Sequence, residues 1–221
     1  MEATQAPLSG TETVVIGLIV SALLLPSATW GLVQHFQTMA HEGMHWAVGS
    51  LSGRKTWWIE LKPNGDGGTR VLPDRGFGYL VVAFAGYLGP SAFGLGAARL
   101  IQFGHIIQVL WVGMLLLGLL LLMLKPSFGC ITVPVAGFLI FLVLKNMSQR
   151  AEILAAYTIT WFLLLAGVRR VWQRGTEAGD AGVLSDRTSI PRLIWFLLWL
   201  AGTATAVVIG ARWMLHPAVQ A

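Results

Sequence analysis

Long apolar runs separated by short polar ones organise this chain. A bilayer-spanning helix needs roughly 20 mostly apolar residues. On that scale the runs predict spans over 12–29, 32–51, 77–99, 104–124, 129–145, 151–169 and 191–213. Only "PSATWG" separates the first two, so a broken or re-entrant pair is an alternative to two full spans there. After the second run the period changes. Trp57, Ile59 and Leu61 alternate with Trp58, Glu60 and Lys62, and Asn-Gly and Asp-Gly follow within the turn cluster Pro63 to Gly68. Period-two alternation around such dipeptides predicts a β-hairpin over 56–73. Residues 170–190 are polar and read as a loop. The chain shows no long repeat and no low-complexity tract, so residues 1–221 are expected to form one domain. The expected fold is an all-α polytopic membrane protein of about seven (six to seven) transmembrane helices, with a small β-hairpin after the second.

Composition strengthens this picture. The chain is 55% hydrophobic and only 11% charged, against about a quarter charged in soluble domains. The net charge of +5 is then no nucleic-acid footprint, because Lys and Arg in a membrane protein mark the cytoplasmic loops. With seven spans, eleven of the 15 basic residues fall on the side of the N-terminus, 53–76 and 170–190. That side is expected to face the cytoplasm, with the protein in the plasma membrane. The single cysteine, Cys130, excludes an intrachain disulfide and a Cys-based zinc site. The first ten residues hold Glu2 and no Lys or Arg, unlike a signal peptide. The first apolar run is therefore expected to remain as a span.

The second span, 32–51, contains the chemistry. His41-Glu42-Gly43-Met44-His45 is an HExxH motif. On a helix, residues four apart share a face, so both imidazoles can reach one metal ion while Glu42 serves as the base for an attacking water. Zinc suits two neutral histidines plus a carboxylate and leaves a fourth position open. Ionisable residues within a span cost several kcal/mol unless they share a task. Three carboxylates lie on the appropriate side to complete the site: Asp74, Asp180 and Asp186. Asp66 is accounted for by the hairpin turn, and Glu152 opens a helix from the opposite side. The residues alone leave the choice among the three open. His35, His105 and His216 are read as interfacial or solvent-facing.

The stretch "AHEGMHWAVGSLSGRKTWWIELKPNGDGGTRV" resembles the site-2-protease-like intramembrane zinc metalloproteases, in their short bacterial M50B-like branch. So do "VAFAGYLGPSAFGLGAA" and "GDAGVLSDRTSIPRLIWFLLWL". The similarity runs from about residue 20 onward, and the HExxH helix is its most specific part. It implies an intramembrane metalloendopeptidase that cleaves in or near transmembrane segments of other membrane proteins, with Zn2+ on His41 and His45 and with Glu42 as base. It also implies that the hairpin pairs with substrate unwound into a strand, which points to Trp58, Ile59, Glu60 and Leu61. The small residues Gly86, Gly89, Ser91, Gly94 and Gly96 are expected to let the third span pack closely on the HExxH helix. Better-known members take their third ligand from an Asp-Gly motif within a later transmembrane helix, which this chain lacks. The short branch tends to place an Asp eleven residues before the Pro that opens the last span, and counting back from Pro191 gives Asp180. The alternative function is a non-proteolytic metal-binding membrane scaffold or transporter-like protein that keeps the fold. An intact Glu42 weighs against it.

Overall fold

The computed structural model describes residues 5–218; Glu2 lies outside the described residues. Eight helices and one two-stranded sheet form in the order α1 (Gly10–Leu24), α2 (Ser27–Leu51), β1 (Lys55–Leu61), β2 (Gly67–Leu72), α3 (Phe77–Gln102), α4 (Gln108–Met123), α5 (Gly129–Asn146), α6 (Gln149–Arg174), α7 (Asp180–Thr188) and α8 (Arg192–Leu215). Ser9 and Glu12 close a capping box at the start of α1, which satisfies two of the backbone donors a helix start leaves open. Pro26 ends that helix. Its ψ of 141° turns the chain, it offers no N–H, and α2 leaves at 108° to α1.

This break changes the span count. Four helices, α3, α5, α6 and α8, are long and apolar enough to cross a bilayer, and the bent α1–α2 pair passes only as a unit, for up to five. About seven (six to seven) spans were expected, with a broken first pair as the alternative. At 1.5 Å per residue, the 15 residues of α1 and the 16 of α4 reach about 22–24 Å, short of the roughly 30 Å hydrocarbon layer. Hydropathy along the chain counts the apolar residues of α1 and α4 and does not register where their helices stop.

The 170–190 segment is more ordered than a loop. α6 continues to Arg174, and α7 follows after five residues, with Asp180 in its first turn and Arg187 in its last, an arrangement that complements the helix dipole. Ala181 and Leu184 bury the inner face of α7 against Tyr87 of α3 and Trp199 of α8. Trp199 is 0% exposed.

α3 lies at the centre, packed on α2, α6 and α8. Its small residues make this possible. A Cβ on Gly89 would stand 2.7 Å from the Ala40 carbonyl oxygen and Met44 Cβ of α2, and one on Gly94 would stand 2.9 Å from Leu164 of α6. Gly96 faces open space and takes no part.

A small two-stranded sheet follows α2. β1 and β2 pair antiparallel with Ile59 opposite Thr69 and Leu61 opposite Gly67. Ile59 and Leu61 turn inward against Met39, Leu120 and Val133. A register irregularity between Thr56 and Ile59 breaks the alternation there, and Trp57, expected on the same face as Ile59, is exposed. The turn is fastened to α2 and α6. The Thr38 hydroxyl donates to the Gly65 carbonyl at 2.7 Å. Asp66 pairs with Arg170 at 3.5 Å and Arg174 at 3.2 Å, a tertiary role beyond the turn chemistry expected of it.

Candidate metal centre

His41 and His45 leave one face of α2 a single turn apart, and α3 crosses that face at Gly86. A Cβ there would stand 2.9 Å from Cε1 of His41 and closer still to His45, so only glycine leaves room for the two rings. Asp180 arrives from α7. The Tyr87 hydroxyl donates to the Arg174 carbonyl at 2.9 Å, which sets where the short 175–179 connection begins and hence where Asp180 falls. Tyr87 also presents its face or edge to His41, with ring centres 5.0 Å apart, and it packs on Trp199 at 4.4 Å. Trp199 donates from Nε1 to the Phe84 carbonyl at 2.8 Å.

Three potential ligand atoms converge as a result. Nε2 of His41 lies 3.1 Å and Nε2 of His45 lies 3.3 Å from Oδ2 of Asp180, and the two Nε2 atoms are 3.0 Å apart. Among the described residues this is the one group of three metal-ligating side chains that comes together. Asp74 lines a separate groove and Asp186 lies further along α7. Tetrahedral zinc with bonds of about 2.0–2.1 Å holds its ligand atoms about 3.3 Å apart, so the triangle fits that ion. Nδ1 of His45 donates to the Val82 carbonyl at 2.8 Å. That bond leaves the Nε2 lone pair directed at the triangle, as an outer-shell partner of a metal ligand does.

Glu42 follows His41 in sequence but leans towards the hairpin. The Thr69 hydroxyl approaches its Oε2 at 2.8 Å, and a Cβ on Gly67 would stand 2.6 Å from its Oε1. The carboxylate is therefore enclosed between α2 and β2, with only 4% of the residue exposed. Both strands of the hairpin border an open groove of about 330 Å³, lined by Trp58, Glu60, Lys62, residues 67–72, Asp74 and Tyr79.

Of the four residues expected to meet substrate, Trp58 and Glu60 line this groove, whereas Ile59 and Leu61 are 1% and 2% exposed. The outer edge of β1 is occupied. Lys125, in the α4–α5 connection, donates its backbone N–H to the Ile59 carbonyl at 3.0 Å. Its ammonium pairs with Glu60 at 3.0 Å and sits 4.4 Å from the centre of the Trp58 ring. Among the described residues, β2 has no second strand beside it. Sequence reasoning missed Thr69, Gly67 and Tyr87. A threonine in a strand and a tyrosine in a span carry no local signal of chemistry, and Gly67 reads simply as part of a turn.

Comparison with curated proteins and with solved structures returns no match. A family model described as Peptidase M50B-like matches residues 14–210, which takes in α2, the hairpin, α3 and α7 and so every residue of the converging triangle. The chain belongs to the Peptidase M50B-like family.

Proposed function

We propose that this membrane peptidase is an intramembrane zinc metalloendopeptidase that cleaves membrane-protein substrates in or near their transmembrane segments, from a site open to the cytoplasmic side of the plasma membrane. The N-terminus is on that same side. The observation that carries this reading is the approach of Asp180 to both histidines of the HExxH helix within 3.3 Å.

His41, His45 and Asp180 hold the ion in this reading. When bound, zinc supplies Lewis-acid polarisation of water and of the scissile carbonyl. Glu42 takes the proton of the attacking water and passes it to the leaving amine, a role for which general-base catalysis typically contributes 10²–10⁴-fold. The partner is a transmembrane helix of another protein, met within the lipid bilayer. A helix hides its peptide bonds within its own hydrogen bonding, so the substrate unwinds locally before attack. The unwound strand pairs along the open edge of β2, because Lys125 covers the corresponding edge of β1, and strand addition of this kind supplies main-chain hydrogen bonds without demanding a fixed sequence. Trp58 and Glu60, on β1, line the groove that the hairpin borders.

Zinc content of the detergent-purified protein tests the site. About one zinc per chain is expected in the wild type and in Glu42→Gln, and much less in His41→Ala and Asp180→Ala, while Asp74→Ala and Asp186→Ala keep it. Proteolysis should vanish in Glu42→Gln with metal and fold intact. A well-folded wild type that takes up no supplied zinc refutes the enzyme and leaves a scaffold.

A further inference from the structure

Glu42 is a nearly buried carboxylate, and such a group needs donors to remain charged and to hold one orientation. Among the described residues, the side chain that donates to it is Thr69 of β2. Its hydroxyl lies 2.8 Å from Oε2 and 3.1 Å from the Glu42 backbone carbonyl. A threonine hydroxyl carries one proton, and the shorter contact to the charged oxygen takes it. On the other side the backbone at Gly67 closes against Oε1, where even a methyl group would stand 2.6 Å away. One carboxylate oxygen is thus tethered by a hydroxyl and the other is confined by a glycine two residues earlier on the same strand.

We propose that Thr69 is the positioning residue of the general base: its hydroxyl holds the Glu42 carboxylate in one orientation for proton transfer. This rests on the protease reading above. It also makes the hairpin part of the proton-transfer machinery as well as a docking edge. Thr69 lies on the strand that borders the groove, so a peptide pairing with β2 pairs beside the residue that orients the base.

The test needs no knowledge of the natural substrate. Acetohydroxamic acid binds a protein-held zinc as its anion and surrenders its hydroxyl proton to a correctly placed carboxylate, so its affinity reports the position of the base. Zinc-loaded, detergent-purified wild type, Glu42→Gln, Thr69→Val and Thr69→Ser are titrated with it, and zinc content and melting temperature are measured alongside. Thr69→Val, equal in shape but without the hydroxyl, is expected to keep its zinc and lose about tenfold in hydroxamate affinity. Thr69→Ser should stay within about threefold of wild type. Wild-type affinity in Thr69→Val overturns the proposal, and so does loss of zinc or of fold in both Thr69 variants, which would make the contact structural. A wild type without zinc, or a Glu42→Gln that binds the hydroxamate as wild type does, refutes the protease reading itself and is seen before any Thr69 variant is compared.

Discussion

Adding one methyl group at Gly86 should empty the metal site while leaving the fold in place. The Cβ of Gly86→Ala would stand 2.9 Å from Cε1 of His41, and ordinary contact begins at 3.4 Å. The His41 ring must therefore move by about 0.5 Å, and the His45 ring, which is nearer, by more. Zinc bonds tolerate about 0.2 Å. Either ring can escape only by rotating, which for His45 breaks its 2.8 Å bond to Val82, or by α3 withdrawing from α2 against the tight contact at Gly89. Loss of an outer-shell partner alone costs roughly 10–100-fold in metal affinity, and displacement of both rings should exceed that. Overpacking of this kind costs about 1–3 kcal/mol in stability. The expected result is at least a hundredfold weaker zinc affinity in a chelator competition, with helical circular dichroism retained and a modestly lower melting temperature. Gly96→Ala on the same helix, where a Cβ meets nothing within 4 Å, should bind zinc as wild type does. Wild-type zinc affinity in Gly86→Ala would refute the placement of α3 over the imidazoles and with it this account of the site.

Two other outcomes follow from the same structure. Asp66→Ala removes the carboxylate beside Arg170, which is 8% exposed, and leaves a largely buried guanidinium without its counter-charge. It should destabilise the chain by about 1–3 kcal/mol and hasten proteolytic nicking of the hairpin, as measured by thermal melting and limited proteolysis in detergent. Acid should release the metal. Zinc needs both imidazoles neutral, so protons compete with the ion and affinity should fall with decreasing pH, as measured with a zinc indicator between pH 8 and 5.

The parts of the site that lie close together in sequence were legible there. His41, Glu42 and His45 share one helical turn, and helical geometry alone places both imidazoles on one face. The hairpin was legible for the same reason, since alternation and turn dipeptides act between near neighbours. Asp180 lies on a different element from the histidines, and nothing in its own flanks separates it from Asp74 or Asp186; it was named by resemblance to a family. The number of spans was less legible at Pro26 and at α4, because apolar composition does not report where a helix bends or stops.

The sequence by itself determined a membrane protein built of apolar helices, an HExxH turn set among them, and a hairpin directly after it, because each depends on side-chain periodicity over a few residues. Only the tertiary structure decided that α7 delivers Asp180 to within 3.3 Å of both histidines, that Thr69 reaches Glu42, and that Lys125 covers the outer edge of β1. Those contacts join residues 27 to 139 positions apart along the chain. They exist because glycines let α3 approach α2 and α6 closely, and because buried Tyr87 and Trp199 fix where α7 begins.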